Sequence, residues 1–419
     1  QIFEKHGVEM SILGRFTGDK KFKLKHRGEI VCDLDMEFLH HGLPKKKLEG
    51  SWQPPETDER KPELPTDWVE TYKKVLAHWN VCSVEPVMRQ YDHGVKAITA
   101  LAPYTGVHQD VLNDGYVAKP IYGKPYGLVA SHSLNPTLTR INPSEGVKWA
   151  AADAFAKFTA VGGDYKRAAL IDNYIWPKLD TKQNVASIDM ATDALCDSVV
   201  ATKSPCVSGK DSVSSTFITN KGERIDIPPV LNITVFGGIP DVEKTQSLDF
   251  KKTESTICLV GSLDEENLAG SAYYDTCGLV GTNIPKTDLQ NLPATLDKVL
   301  GCVQSGKITA SHAVSRGGLA TALAQMCFGG DCGAKIDLSR LGDTRPDSLF
   351  FNITAGTLLV EVESPEMAEE LFKGVPHVVL GQTQKAKQID VEYQNNKLFS
   401  ADIYDLKEAW QAPMKGVFR

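Results

Sequence analysis

Apolar residues at Trp149, Ala152, Phe155, Ala156 and Thr159 recur with helical spacing and run into Gly162-Gly163. That pattern predicts a helix over 146–161 with a buried stripe and a glycine stop. Shorter apolar runs at Gly127–Ser131, Ala168–Ile171 and Val230–Phe236 read as buried strands. A loop is expected from Asp172 to Pro177 and a second helix over about 186–202. A helical pattern also opens at Trp68. Further on, strands are expected at 255–260, 357–362 and 378–380, and helices at 294–305, 319–328 and 365–373. This mixture predicts an α+β or α/β chain with two modules, 67–252 and 253–419.

The amino-terminal part differs. Val8–Arg15 and the alternating basic and apolar residues of Lys21–Leu34 read as two or three strands. About forty residues cannot bury both faces of such strands, so 1–43 is expected to be the tail of an upstream domain. The chain starts at Gln1 rather than methionine, as a piece cut from a longer protein does. Residues 44–66 hold Lys45-Lys46-Lys47, Pro54-Pro55, Pro62 and Pro65, the composition of a solvated linker.

Composition removes some classes of function. The formal net charge of -7 over 419 residues argues against a nucleic-acid-binding surface. No apolar run reaches the roughly 18–20 residues of a membrane span. Nine cysteines, an odd number with no C-x-x-C pair, read as reduced thiols of a cytoplasmic protein.

The segment Pro205-Cys-Val-Ser-Gly-Lys-Asp-Ser212 carries the clearest hint of chemistry. It reads as a turn in which Gly209 lets backbone approach an anionic oxygen beside Lys210. It is not a P-loop, because Ser204 stands where that motif needs its first glycine. Gly317-Gly318, opening the helix at Leu319, is a second place where N–H groups suit an anion.

These pieces, taken in order, resemble one family. Gln90-Tyr91-Asp92-His93, Gly163-Asp164-Tyr165-Lys166-Arg167, Asp172-Asn173, Val207–Ser212, Leu268-Ala269-Gly270-Ser271, Ser311–Leu319 and Leu406–Trp410 are similar to motifs in the second half of the phosphoribosylformylglycinamidine synthases. Those enzymes share the aminoimidazole ribonucleotide synthetase fold. Leu13-Gly14-Arg15 and Arg27–Val31 look like the tail of the family's first half.

The resemblance implies a ferredoxin-like sheet domain followed by an α/β domain. It also implies a reaction: formylglycinamide ribonucleotide, ATP and ammonia give formylglycinamidine ribonucleotide, ADP and phosphate. Asp172, Gly209 and Ser315 would meet the nucleotide, Lys210 a metal or phosphate, and Ser212 substrate phosphate. The implied partners are the upstream half of the same enzyme, which holds the catalytic histidine, and a glutaminase subunit as ammonia source. His312 reads as a packed or capping histidine.

The departures from the pattern bear on magnesium. The family's His-Asp-x-Ser-Asp-Gly-Gly-Leu stretch is His312-Ala313-Val314-Ser315-Arg316-Gly317-Gly318-Leu319 here, and Ser133 replaces a usual aspartate. By spacing, Ala152 and Ala156 stand where a metal-binding glutamate and asparagine are expected. Because magnesium prefers several hard oxygen ligands, a degenerate nucleotide site is expected in this half, with Arg316 as a substitute charge. A noncatalytic scaffold of the same fold, and a different enzyme of the superfamily, are the alternative readings.

Overall fold

The computed structural model describes residues 1–57 and 60–418. They form two compact units, Gln1–Glu49 and Gly50–Arg419. In the first, β1 (Lys21–His26) and β2 (Glu29–Asp35) make an antiparallel hairpin. Arg27 and Gly28 turn it, both with positive φ, a geometry that suits the twist of paired strands. Val8–Arg15, expected to be extended, forms no strand, since it has no ladder partner. No residue of 1–49 is buried.

The second unit opens with α1 (Trp68–Leu76), capped where Asp67 accepts from Glu70 N–H. Of the strands that follow, six belong together: β3 (Thr99–Leu101), β4 (Tyr116–Ala118), β5 (Gly127–Ser133), β6 (Ala168–Ile175), β7 (Cys206–Ser212) and β8 (Val230–Ile239). They form one sheet in the order β3-β4-β5-β8-β6-β7. All neighbours are antiparallel except β6 and β7. The two long helices between these strands are α2 (Pro143–Ala160) after β5 and α3 (Lys182–Thr202) after β6.

Two expectations fail in this sheet. Asp172–Ile175 is not a loop but the second half of β6, and Pro205–Ser212 is not a turn but contains the edge strand β7. A parallel pair needs a crossover, and α3 supplies it, returning the chain so that 206–212 can pair with β6. An exposed edge strand needs no apolar alternation, so nothing in its side chains announces it.

Helix α2 begins earlier than its stripe suggests, because Asn142 caps it by accepting from Glu145 N–H and Pro143 suits its first turn. It is buried nearly all round, as a helix between two layers must be. One side packs on β5 and β8 and the other reaches the second sheet.

That sheet has seven strands: β9 (Thr256–Val260), β10 (Ala310–Ala313), β11 (Gly333–Asp337), β12 (Leu358–Val362), β13 (His377–Gln384), β14 (Gln388–Tyr393) and β15 (Asn396–Asp402). Their order is β10-β12-β9-β13-β11-β14-β15, with β11/β14 the single parallel pair. The longest helices of this region are α4 (Leu292–Ser305), α5 (Gly318–Gly330) and α6 (Ile403–Val417), and the helix expected at 365–373 is present as Pro365–Leu371. The class is α+β, since antiparallel pairing dominates both sheets. Buried aromatics tie distant segments together: Tyr72 OH donates to Ala320 O at 2.5 Å, Trp149 Nε1 to Ile353 O at 2.6 Å and Trp410 Nε1 to Val81 O at 3.0 Å.

Candidate functional site

A cavity of about 590 Å³ opens where the carboxyl end of β5, α2, the loop after β10 and the start of α5 meet. That volume is in the range of small-molecule sites. Its walls are mixed. Val84, Val87, Met88, Leu112 and Trp410 make an apolar side, and Ser133, Lys157, His312, Ser315 and Arg316 a polar one.

The polar side is built around Asp153, which is fully buried on α2. Its Oδ2 accepts from Ser133 Oγ at 2.6 Å and Ser315 Oγ at 2.9 Å, and lies 2.7 Å from Lys157 Nζ. Asp153 and Lys157 meet because positions i and i+4 share a helix face. Strand alternation turns Ser131 and Ser133 toward α2, where Ser131 Oγ also donates to Ala154 O at 2.8 Å. Asp153 Oδ1 has no hydrogen-bond partner among the described residues.

Next to this hub, His312 on β10 is buried between Asp114 and Gln325. Its Nδ1 lies 2.9 Å from Asp114 Oδ2 and its Nε2 2.8 Å from Gln325 Oε1. Asp114 also accepts from Ala313 N–H at 3.0 Å. Burial opposes the imidazolium, but Asp114 and the hydrogen bonds outweigh it, so the His312 pKa sits above the ordinary value. The packed-histidine reading therefore gains a partner that the sequence did not indicate.

Arg316 borders both this cavity and a smaller cleft of about 100 Å³ beside Arg140 and Ser271. Burial lowers its pKa, with the Asp153 charge acting the other way. Among the described residues, no hydrogen bond or ion pair holds the guanidinium.

The spacing argument for α2 is corrected here. Ala152 and Ala156 are packed in the core, Lys157 lines the cavity, and Asp153 lies behind it, bound to Ser133, Ser315 and Lys157. One position along a helix turns a side chain by about 100°, so an acid and a cation one residue on from the two alanines point in a different direction. Asp114 and Gln325 carried no local signal, since only the fold brings them to His312.

The anion expectation for Gly317-Gly318 is also corrected. Gly318 N–H donates to Ser315 O at 2.8 Å and Leu319 N–H to Asn352 O at 2.9 Å, so these donors are already used. Gly318 has φ +75°, and a Cβ there would lie 2.7 Å from Asn352 O. Close packing explains this glycine without a ligand.

Of the five residues that the resemblance assigns to nucleotide, metal or substrate, Ser315 alone lines the cavity, next to Arg316, Gly317 and Gly318. Asp172, Gly209, Lys210 and Ser212 come together elsewhere, on β6 and the edge strand β7 with Asp172 opposite Gly209. A Cβ at Gly209 would collide with the Asp172 carboxylate. Burial, with Asp211 adding to it, pushes the Asp172 pKa up. Lys210 Nζ donates to Ser212 Oγ, so each occupies the other.

The donor set of the cavity does not suit magnesium. Both carboxylates are engaged by protein donors, two cations stand close by, and among the described residues no group of three acidic, histidine or cysteine side chains could hold a metal. A magnesium ion needs several open oxygens.

Residues 252–394 match the family described as AIR synthase related protein, C-terminal domain. The chain is 27% identical over 431 residues to phosphoribosylformylglycinamidine synthase subunit PurL of Deinococcus radiodurans, covering 99% of this chain and 56% of that protein. It is 28% identical over 425 residues to the PurL subunit of Thermoplasma volcanium, covering 98% and 53%. The chain thus spans about half the length of the curated relatives it matches. Among solved structures, Thermotoga maritima PurL complexed with FGAR matches with a TM-score of 0.62 at 15% identity, covering 81% of this chain and 53% of that one. The same protein complexed with ADP gives 0.58 at 16% identity (83% and 52%), and the T. maritima PurLQS structure 0.59 at 16% (83% and 52%). The chain is therefore similar to PurL subunits of phosphoribosylformylglycinamidine synthase over nearly its whole length, shares their fold, and matches the AIR synthase related C-terminal domain at 252–394.

Proposed function

We propose that this chain is the carboxy-terminal half of a phosphoribosylformylglycinamidine synthase, an ATP-dependent ligase of purine biosynthesis. The observation that carries this is similarity to PurL subunits over 98–99% of the chain. In the proposed reaction ATP phosphorylates the amide oxygen of formylglycinamide ribonucleotide. Ammonia then displaces that oxygen as phosphate, leaving formylglycinamidine ribonucleotide and ADP. Chemistry of this kind depends on positioning and on charge stabilisation at moving oxygens.

This half contributes a nucleotide pocket, the cavity beside Ser315, and not the catalytic histidine. Asp172, Gly209, Lys210 and Ser212 would meet nucleotide and substrate phosphate only when the upstream half lies against the β6–β7 edge. One face of that sheet supports such a partner. Leu128 is 55% exposed and Ile171 36% exposed, and they stand on the side away from α2. Ammonia comes from a glutaminase subunit, and the likeness to the PurLQS structure supports further subunits.

The test is ADP release by the full-length protein given formylglycinamide ribonucleotide, ATP and ammonia. Release that depends on the ribonucleotide is expected, and its absence would sink the proposal. The engaged carboxylates of the cavity favour a second reading, a noncatalytic relative kept for assembly. Substrate-dependent ADP release excludes that reading.

A further inference from the structure

We infer that the cavity holds the phosphate of a nucleotide without a divalent metal, using Arg316 as the counter-charge and Lys157 as its neighbour. The inference rests on reading the cavity as a nucleotide pocket and specifies how that pocket treats charge.

Three observations meet in it. First, the acids are spent. Asp114 is bound by His312 and Ala313 N–H, and Asp153 Oδ2 by Ser133, Ser315 and Lys157. The carboxylate oxygen left without a partner among the described residues, Asp153 Oδ1, is itself buried and does not line the cavity. Second, the cations are not spent to the same degree. Lys157 is neutralised by Asp153, whereas Arg316 lines the cavity with no hydrogen-bond or ion-pair partner among the described residues.

Third, Arg316 is desolvated enough for burial to depress its pKa, yet a guanidinium stays ionised at any working pH. Arg316 is half-buried rather than fully withdrawn from water, so its guanidinium stays reachable from the cavity, and an anion there would meet a charge with no protein partner among the described residues. Arginine's planar fork suits phosphate oxygens in particular. The apolar wall of Val84, Val87 and Met88 leaves room for an uncharged part of the ligand, which favours a nucleotide over free phosphate.

The experiment is calorimetric titration of the full-length protein with ADP, in EDTA and in excess Mg²⁺, with inorganic phosphate as a second probe. ADP is expected to bind equally well in EDTA, and more tightly than phosphate. Arg316→Ala is expected to weaken EDTA-resistant binding by about tenfold or more, the scale of one charge-assisted hydrogen bond. Arg316→Lys, which keeps the charge, should lose less and guards against a merely misfolded variant.

Binding seen only with Mg²⁺ would overturn the inference and leave the nucleotide reading standing. So would EDTA-resistant binding that Arg316→Ala leaves unchanged in a folded protein. No ADP binding under either condition would overturn both.

Discussion

At the scale of single residues, the cavity shows how one buried carboxylate organises its surroundings. Asp153 gathers two hydroxyls and an ammonium, and each donor offsets the cost of keeping a charge out of water. The His312–Asp114 pair has a consequence in solution. The folded-state pKa of His312 is raised. The pair's stability is therefore fully present below the ordinary histidine value of about 6.5 and is lost as pH rises through the raised value. Melting temperatures measured from about pH 6 to about pH 9 should fall more steeply for the natural protein than for Asp114→Asn. Equal slopes would show that the pair does not couple to folding.

At the scale of elements, Glu361 on β12 joins three segments. It is fully buried and accepts from Lys251 N–H at 2.9 Å, Lys252 N–H at 3.0 Å, Ser255 Oγ at 2.5 Å and Thr309 Oγ1 at 2.7 Å. The strands β9 and β10 are thus entered from loops fixed to one carboxylate. Glu361→Ala should cost about 3 kcal/mol or more in urea unfolding, because it strands four donors. Glu361→Gln should cost less, since its amide keeps an acceptor oxygen.

Elements with a strong period were legible in the sequence, and the helix around Trp149 and the strand at Val230 are examples. Those set by pairing alone were not. Cys206–Ser212 becomes a strand only because α3 delivers it to β6, and its exposed side chains carry no trace of that. The same limit hid the cavity. The motif pointed to Ser315, which lines the cavity, whereas Asp114 reaches His312 across a sequence gap that no local pattern spans.

For the molecule as a whole, the uncovered sheet face has a cost. Leu128 and Ile171 present apolar surface that a soluble chain tends to bury against something. Expressed alone, the 419-residue chain should self-associate with rising concentration in sedimentation experiments. The Leu128→Lys, Ile171→Lys double variant should remain monomeric over the same range. Concentration-independent behaviour of the natural chain would remove this face as a docking surface.

Helix α2 touches both sheets of the Gly50–Arg419 unit and is buried nearly all round. It cannot unwind without stripping cover from β5 and β8 on one side and from β10 on the other. The two sheets consequently share a melting fate. Heat or denaturant should find one cooperative block, with the amides of α2 among the last to exchange their protons for deuterium.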